Sequence, residues 1–307
     1  MKISVVILTF NRKDHVVDCL HSVIRQNFDE DYEIIVIDNW SEDGSFETIK
    51  VKFSDFSNVK IVRPPKRIGI AAGRNYGLKI ANGQVVAFID DDCIATRSWL
   101  SEINRVFEDE GVGCVGGKVS LLMIGTEKPR WLGKDVYGIL GITNWGEKSK
   151  DIYFPIGGNM AIRKELAMKI GGFKEHLGPH GVKVFGEEIS ISDRVRKSGY
   201  RVIYAPKAEV LHKVWGERIE IENMLKRAYM ISVSDYYLYG RKLGKTIINT
   251  GIFLASLYGY LAFWRPNLLC HLFYAAGYLI PALLAKEPLE KLDGMIKLER
   301  KIRRKKN

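Results

Sequence analysis

The chain has 307 residues, 46% hydrophobic and 27% charged, an ordinary globular balance with room for one large α/β domain and an appendage. Its net charge of +11 and pI near 9.3 suggest an anionic partner: nucleic acid, a phosphorylated substrate or an anionic membrane. The four cysteines (Cys19, Cys93, Cys114, Cys270) are scattered, which excludes a Cys-x-x-Cys metal site and a disulfide framework and fits a reducing compartment.

Met1-Lys2 leads directly into Ile3–Leu8, an apolar run too short for a signal h-region, so a first strand is expected and no signal peptide. A helix follows, with Val16, Val17, Leu20, Val23 and Ile24 on one face. Glu33–Asp38 reads as a second strand, Phe46–Phe53 as a short helix and Val59–Arg63 as a third strand. Ala71–Ala81 is a helix, Gln84–Asp90 a fourth strand and Ser98–Asp109 another helix. Strands and helices that alternate, with the strands nearly all apolar, predict a mostly parallel sheet covered on both faces. Such sheets bind ligands beyond the carboxyl ends of their strands, where Thr9, Asp38 and Asp90–Asp92 all stand.

From Cys114 to Gly158 the periodicity fades; Trp131, Tyr137, Trp145, Tyr153 and Phe154 lie among glycines, and an irregular, pocket-shaping region or plain surface loops are equally open. Arg163–Ile170 and Ile189–Ser198 read as helices, Arg201–Tyr204 as a strand and Glu220–Gly244 as a tyrosine-rich helical stretch. Thr246–Trp264 and Pro266–Ala285 are uncharged apolar runs split by Arg265, each approaching the ~20 residues that span a bilayer. A transmembrane hairpin, an interfacial pair and a buried hairpin are open, with membrane contact favoured because a basic tail follows, ending in Lys301-Ile302-Arg303-Arg304-Lys305-Lys306. The expected organisation is a catalytic domain over residues 1–218, an amphipathic linker over 219–245, a membrane-associated hairpin over 246–285 and a basic cytoplasmic tail over 286–307.

The most informative stretch is Phe88-Ile89-Asp90-Asp91-Asp92, three consecutive carboxylates at the end of a buried strand. Unpaired, they would repel one another and raise each other's pKa. A hard divalent cation with oxygen ligands would relieve them; a solvated turn is the plainer alternative.

Six further motifs, in order along the chain, accompany that triplet. They are Val5-Val6-Ile7-Leu8-Thr9-Phe10-Asn11-Arg12, Val36-Ile37-Asp38-Asn39-Trp40-Ser41, Gly69-Ile70-Ala71-Ala72-Gly73-Arg74-Asn75-Tyr76-Gly77, Ile156-Gly157-Gly158-Asn159-Met160-Ala161, Phe185-Gly186-Glu187-Glu188 and Ala208-Glu209-Val210-Leu211-His212. With the triplet they resemble glycosyltransferase family 2 from Lys2 to about Gly216. The resemblance implies a GT-A type nucleotide-binding sheet flanked by helices, here followed by the C-terminal apolar hairpin.

The same resemblance implies site roles. Thr9, Asn11, Arg12, Asp38, Arg74, Asn75 and Asp90 would bind the nucleotide, with Asp38 accepting from a uracil N–H. Asp90, Asp92 and His212 would hold Mg²⁺ or Mn²⁺, while Gly157, Gly158 and Asn159 would border the donor sugar and acceptor. Glu188, in place of the family's more usual Asp, would be the catalytic base, and Glu187 would orient an acceptor hydroxyl. The expected activity is inverting transfer from a nucleoside diphosphate sugar, UDP-linked by preference, to a glycan or lipid-linked acceptor at the cytoplasmic face of the membrane. A nucleotidyltransferase and a non-catalytic sugar-nucleotide binder are the alternatives. Nucleic acid is not expected, because the cations cluster in the tail and no recognition motif occurs.

Overall fold

The computed structural model of the protein describes residues 2–177 and 185–239, together with 256, 268 and 270–276. These fall into two compact units. The first comprises Met1–Glu127, Gly141–Glu175 and Glu187–Trp215 and contains every strand among the described residues.

Its first half follows from the apolar periodicity. Strand β1 (Ile3–Thr9) leads to helix α1 (Lys13–Ile24), β2 (Tyr32–Asp38), α2 (Ser45–Lys52), β3 (Val59–Val62), α3 (Ile70–Ile80) and β4 (Val85–Asp90). The β-branched runs of β1, β2 and β4 are almost wholly buried, as strands covered on both faces must be. Helix α1 turns Val16, Val17, Leu20 and Val23 inward, and α3 packs against β1 and β2. The three strands pair in parallel with Thr9 opposite Asp38 and Leu8 opposite Asp90. That register, more than the strand count, brings the polar strand ends to one edge.

The second half departs from a mostly parallel sheet. After β5 (Cys93–Ala95) and α4 (Trp99–Phe107) comes β6 (Val112–Ile124), a 13-residue strand where an irregular region was expected from Cys114 onward. Gly113, Gly116 and Gly117 interrupt its apolar alternation, which hides it from a search by period. A two-residue strand, β7 (Lys150–Asp151), precedes β8 (Asn159–Arg163), α5 (Lys164–Lys169), α6 (Glu187–Lys197) and β9 (Arg201–Trp215). Strand β9 continues well past Tyr204, the expected end, because its register against β6 jumps from Ala205 to Glu209 and accommodates Pro206. The resulting nine-stranded sheet has the order β3-β2-β1-β4-β8-β6-β9-β5, with β7 on β9. Strand β8 runs antiparallel to both β4 and β6, so the sheet is mixed.

The second unit comprises Lys128–Leu140, His176–Gly186 and Gly216–Asn307. Within it a 3-10 helix (Lys134–Leu140) meets helix α7 (Ile221–Tyr239), where Arg227 Nε donates to the Ile139 carbonyl at 3.0 Å. Tyr274 donates its hydroxyl proton to Asp235 at 2.6 Å, and His271 lies 3.0 Å from Asp135. The expected hairpin and basic tail lie outside the described residues, apart from 256, 268 and 270–276. Among the described residues no helix is long and apolar enough to cross a membrane.

Candidate active site

The site is built on the carboxyl ends of β1, β2 and β4. Asp38, fully buried at the end of β2, accepts through Oδ2 from Arg63 Nε (2.7 Å) and from the Ser41 N–H (3.2 Å). Its other oxygen, Oδ1, is buried without a hydrogen-bond partner. A buried acceptor left unpaired costs about 1–3 kcal/mol, so a donor from water or from a ligand would be stabilised there. The Arg63 guanidinium stacks over Phe46 at 3.9 Å from the ring centroid and faces Trp40 at 5.2 Å. Trp40 is 42% exposed and left-handed (φ 64°), held there by its Nε1–H bonded to the Pro64 carbonyl at 3.0 Å. Thr9, opposite Asp38, is also buried with its hydroxyl oxygen unpartnered.

The acidic triplet lies beside this pocket. Arg12, just before α1, donates from one nitrogen to Asp91 (2.9 Å) and Asp92 (3.0 Å). Burial opposes the charge of Arg12, but Asp91 and Asp92 outweigh it and raise its pKa. The Asp91 carboxyl is pushed up to about 7 by burial, which the Arg12 charge reduces and Asp92 reinforces. Asp90 stands half open to solvent at the strand end; desolvation raises its pKa, Arg74 opposes and Asp92 adds to the rise. His212, on β9, brings Nε2 to 3.4 Å from Asp92 Oδ1.

Arg74 joins the two halves of the sheet. It is 3% exposed on α3 and donates from Nη1 to Glu187 (3.0 Å) and Glu188 (3.1 Å), the first two residues of α6. Its Nη2 lies 3.9 Å from Asp90. Glu187 is buried, whereas the Glu188 side chain keeps 18% exposure. Burial first, then the charge of Glu187, pushes the Glu188 carboxyl up to about 7 against the pull of Arg74. Gly157 and Gly158 let the backbone before β8 press onto this cluster. A Cβ at Gly157 would stand 2.0 Å from Arg74 Nη2 and 2.1 Å from Glu188 Oε1, and one at Gly158 2.8 Å from Asp90 Oδ2.

Thr9, Arg12, Asp38, Arg74, Asp90, Asp92, Gly157, Gly158, Glu187, Glu188 and His212 thus gather on one side of the sheet. Three of the residues expected at the site are hydrogen-bonded to other parts of the protein. Asn75 donates to the Phe173 carbonyl (2.9 Å) and Glu175 (3.0 Å) and accepts from the Phe173 N–H (2.7 Å), so its amide anchors the segment after α5. Asn159 is buried, accepting from Trp99 Nε1 (2.8 Å) and donating to the Lys118 (2.9 Å) and Ala208 (2.8 Å) carbonyls, so its side chain ties strands together. Asn11 accepts from the Glu42 N–H at 2.7 Å and donates its own N–H to Ser41 at 2.9 Å, fixing the loop beside Asp38. Arg63, by contrast, was not singled out by its sequence context, because a lone arginine after an edge strand carries no pattern.

Charge tests whether the cluster suits a metal. Asp90, Asp91, Asp92, Glu187 and Glu188 are five carboxylates, against the two guanidiniums of Arg12 and Arg74. The excess is negative, and carboxylate oxygens with one imidazole are a donor set that Mg²⁺ and Mn²⁺ accept. Of the residues expected to hold that ion, Asp92 and His212 stand together: their donor atoms and that of Cys93 lie within 4.8 Å of one another.

The model of Glycosyl transferase family 2 matches residues 4–171. A glucosyl-dolichyl phosphate glucuronosyltransferase of Haloferax volcanii is 28% identical over 236 residues, covering 75% of this chain and 74% of its own. Among solved structures, a mannosyltransferase of Pyrobaculum calidifontis in complex with GDP-Man and Mn²⁺ superposes with a TM-score of 0.61 at 18% identity, over 93% of this chain and 88% of that one. TarS of S. aureus in complex with UDP superposes with a TM-score of 0.55 at 17% identity, over 92% and 90%. At these identities the two structures establish the fold.

Proposed function

The chain belongs to glycosyl transferase family 2 and is a glycosyltransferase of the GT-A fold, and from that premise we propose that it transfers a sugar, with inversion, from a nucleoside diphosphate donor to a hydroxyl acceptor. One observation carries this reading: a partly open carboxylate with a raised pKa, Glu188, shares Arg74 with its neighbour Glu187, while Arg74 also faces the acidic strand end.

In this reading Glu188 takes the proton from the acceptor hydroxyl. The oxygen then attacks the anomeric carbon from the face opposite the diphosphate, and the bond to the diphosphate breaks with its electron pair leaving on the phosphate oxygen. Arg74 holds the Glu188 carboxylate in place, and Glu187 fixes Arg74 from the buried side. Asp90, Asp92 and His212 would hold Mg²⁺ or Mn²⁺, which when bound neutralises charge on the leaving diphosphate. Arg12, 43% exposed over Asp91 and Asp92, is within the same acidic rim and offers its remaining donors to phosphate.

The Asp38 pocket favours uridine. Its single unpartnered oxygen matches the single imide N–H of a uracil ring. Guanine would present two adjacent donors, and the second carboxylate oxygen already serves Arg63 and Ser41. The acceptor is a glycan or a lipid-linked sugar at the cytoplasmic face of a membrane. The relative named for glucosyl-dolichyl phosphate supports that choice, as do the apolar runs Thr246–Trp264 and Pro266–Ala285 with the basic tail behind them.

The full chain, screened with sugar nucleotides with and without Mn²⁺, should melt higher with a UDP-sugar and metal together than with either alone, since bound ligand stabilises by mass action. With an acceptor it should release nucleoside diphosphate and give the opposite anomer by NMR. A product that keeps the nucleotide would identify a nucleotidyltransferase, and donor binding without turnover on any acceptor a binding protein.

A further inference from the structure

We propose that this protein also takes a thiophilic divalent ion, zinc or cadmium, on Asp92, Cys93 and His212. The antiparallel pairing of β5 with β9 sets Cys93 directly opposite His212. Residues so paired project their side chains to the same face of the ladder. Asp92 immediately precedes Cys93, and the three donor atoms lie within 4.8 Å of one another.

Their spacing matches a tetrahedral edge. Asp92 Oδ1 is 3.4 Å from His212 Nε2 and 3.9 Å from Cys93 Sγ. Zinc bonded tetrahedrally to carboxylate, imidazole and thiolate would set oxygen and nitrogen about 3.3 Å apart and oxygen and sulfur about 3.6 Å apart. The imidazole and carboxylate already stand at that distance, and the sulfur needs a shift of a few tenths of an ångström. All three side chains are buried; Cys93 and His212 sit on paired strands and Asp92 in the turn just before β5.

Sugar transfer as proposed above makes no use of Cys93. Hard ions prefer oxygen and add little on engaging a sulfur, whereas zinc and cadmium gain most from a thiolate. On binding, the thiol proton passes to solvent, one per ion, and the sulfur becomes the third ligand. Asp92 and His212 would then be withdrawn from the Mg²⁺ or Mn²⁺ set, so a soft ion excludes the hard one. This second consequence rests on the proposed function; the coordination itself rests only on the donor geometry.

The test is a titration of the full chain with Cd²⁺ alone, followed by the ultraviolet thiolate-to-metal absorption and by calorimetry. One equivalent should produce the band in the wild-type chain and in Cys19→Ser. Cys93→Ser and Cys93→Ala should lose it, with Cd²⁺ affinity falling about a hundredfold or more, since even outer partners of a metal site cost ten- to a hundredfold. The absence of the band from the wild-type chain would overturn the proposal without recourse to any variant, and so would a band that survives in a folded Cys93 variant. No sugar nucleotide is present, so an incorrect donor reading would leave the cadmium signal intact.

Discussion

The two halves of the sheet hold their polar groups in different ways. On the parallel side, β3-β2-β1-β4, the Asp38 pocket is held from within 31 residues of sequence: Asp38 by Arg63 and Ser41, and Asn11 by Ser41 and Glu42. On the side that begins with β8, the groups come from far along the chain and are bound into one ion cluster. Glu187 and Glu188 reach Arg74 across more than a hundred residues of sequence, and Gly157 and Gly158 press on the same cluster. The first arrangement suits recognition, where one pocket can be complete in itself. The second suits chemistry, where a base, a leaving group and a cation must be placed together. Damage on the parallel side should therefore appear in donor affinity, and damage around Arg74 in turnover.

The hardest break of that contrast is Glu188→Gln. It should lower kcat by about 10²- to 10⁴-fold, the usual worth of a general base, and leave donor binding nearly unchanged. The fold should not suffer. The Glu188 pKa is raised from 4.5 to about 7, so the folded protein holds that proton more tightly than the unfolded chain, and stability falls as pH climbs through this window. Glutamine removes the slope, and the variant should melt no lower than wild type at pH 8. The same pKa predicts the wild-type profile. The base works only when ionised, so kcat/KM should fall about tenfold per unit below pH 7 and level off above it. A flat profile from pH 5 to 8 would take the proton transfer away from Glu188.

Gly157→Ala comes next. Its methyl group would stand 2.0 Å from Arg74 Nη2 and 2.1 Å from Glu188 Oε1, so the cluster must shift. A displacement of about 1 Å in a reacting group can cost ~10²-fold, and the loss should fall on kcat with donor KM near wild type. A matching rise in KM would mean that the glycine serves the donor pocket and would erase the division between the two halves.

Asp38→Asn sharpens the contrast from the other side. Asparagine cannot both accept at the unpartnered oxygen and accept from Arg63, so one buried group is left mismatched. The cost, about 1–3 kcal/mol, should appear as a roughly ten- to hundredfold weaker donor, measured by calorimetry, with turnover at saturation little changed.

The same contrast explains what the sequence made legible. Strand β1 with Thr9, strand β2 with Asp38 and strand β4 with the acidic triplet each carry their position in a contiguous apolar run with a polar end. Glu188 and His212 carry no such local mark and were reached through the order of motifs. Strand β6 was hidden by its glycines and the far end of β9 by Pro206, both of which break the period on which strand recognition depends. The side chains of Asn75 and Asn159 sit inside motif segments, yet their partners are carbonyls of distant segments, and no pattern of neighbours reveals such a bond. Arg63 shows the converse, a residue without a motif that occupies one oxygen of the Asp38 carboxylate.

The smallest expected effect belongs to Trp40. Its left-handed backbone (φ 64°) costs a non-glycine residue about 1–3 kcal/mol, and the indole bond to Pro64 and the Arg63 guanidinium facing the ring offset that strain. Glycine at this position would relieve the backbone and lose both contacts, so the melting temperature of Trp40→Gly should move little. What it should lose is the exposed ring beside the Asp38 pocket, a surface on which a base can stack. Donor KM should rise by a few-fold, in line with about 1 kcal/mol for an aromatic stack, while kcat stays at the wild-type value. A Trp40→Phe variant should recover much of the affinity, because it keeps an aromatic face without the Pro64 bond. Recovery by Phe would assign the effect to stacking, and failure of Phe to recover it would assign it to the loop that the indole N–H ties down.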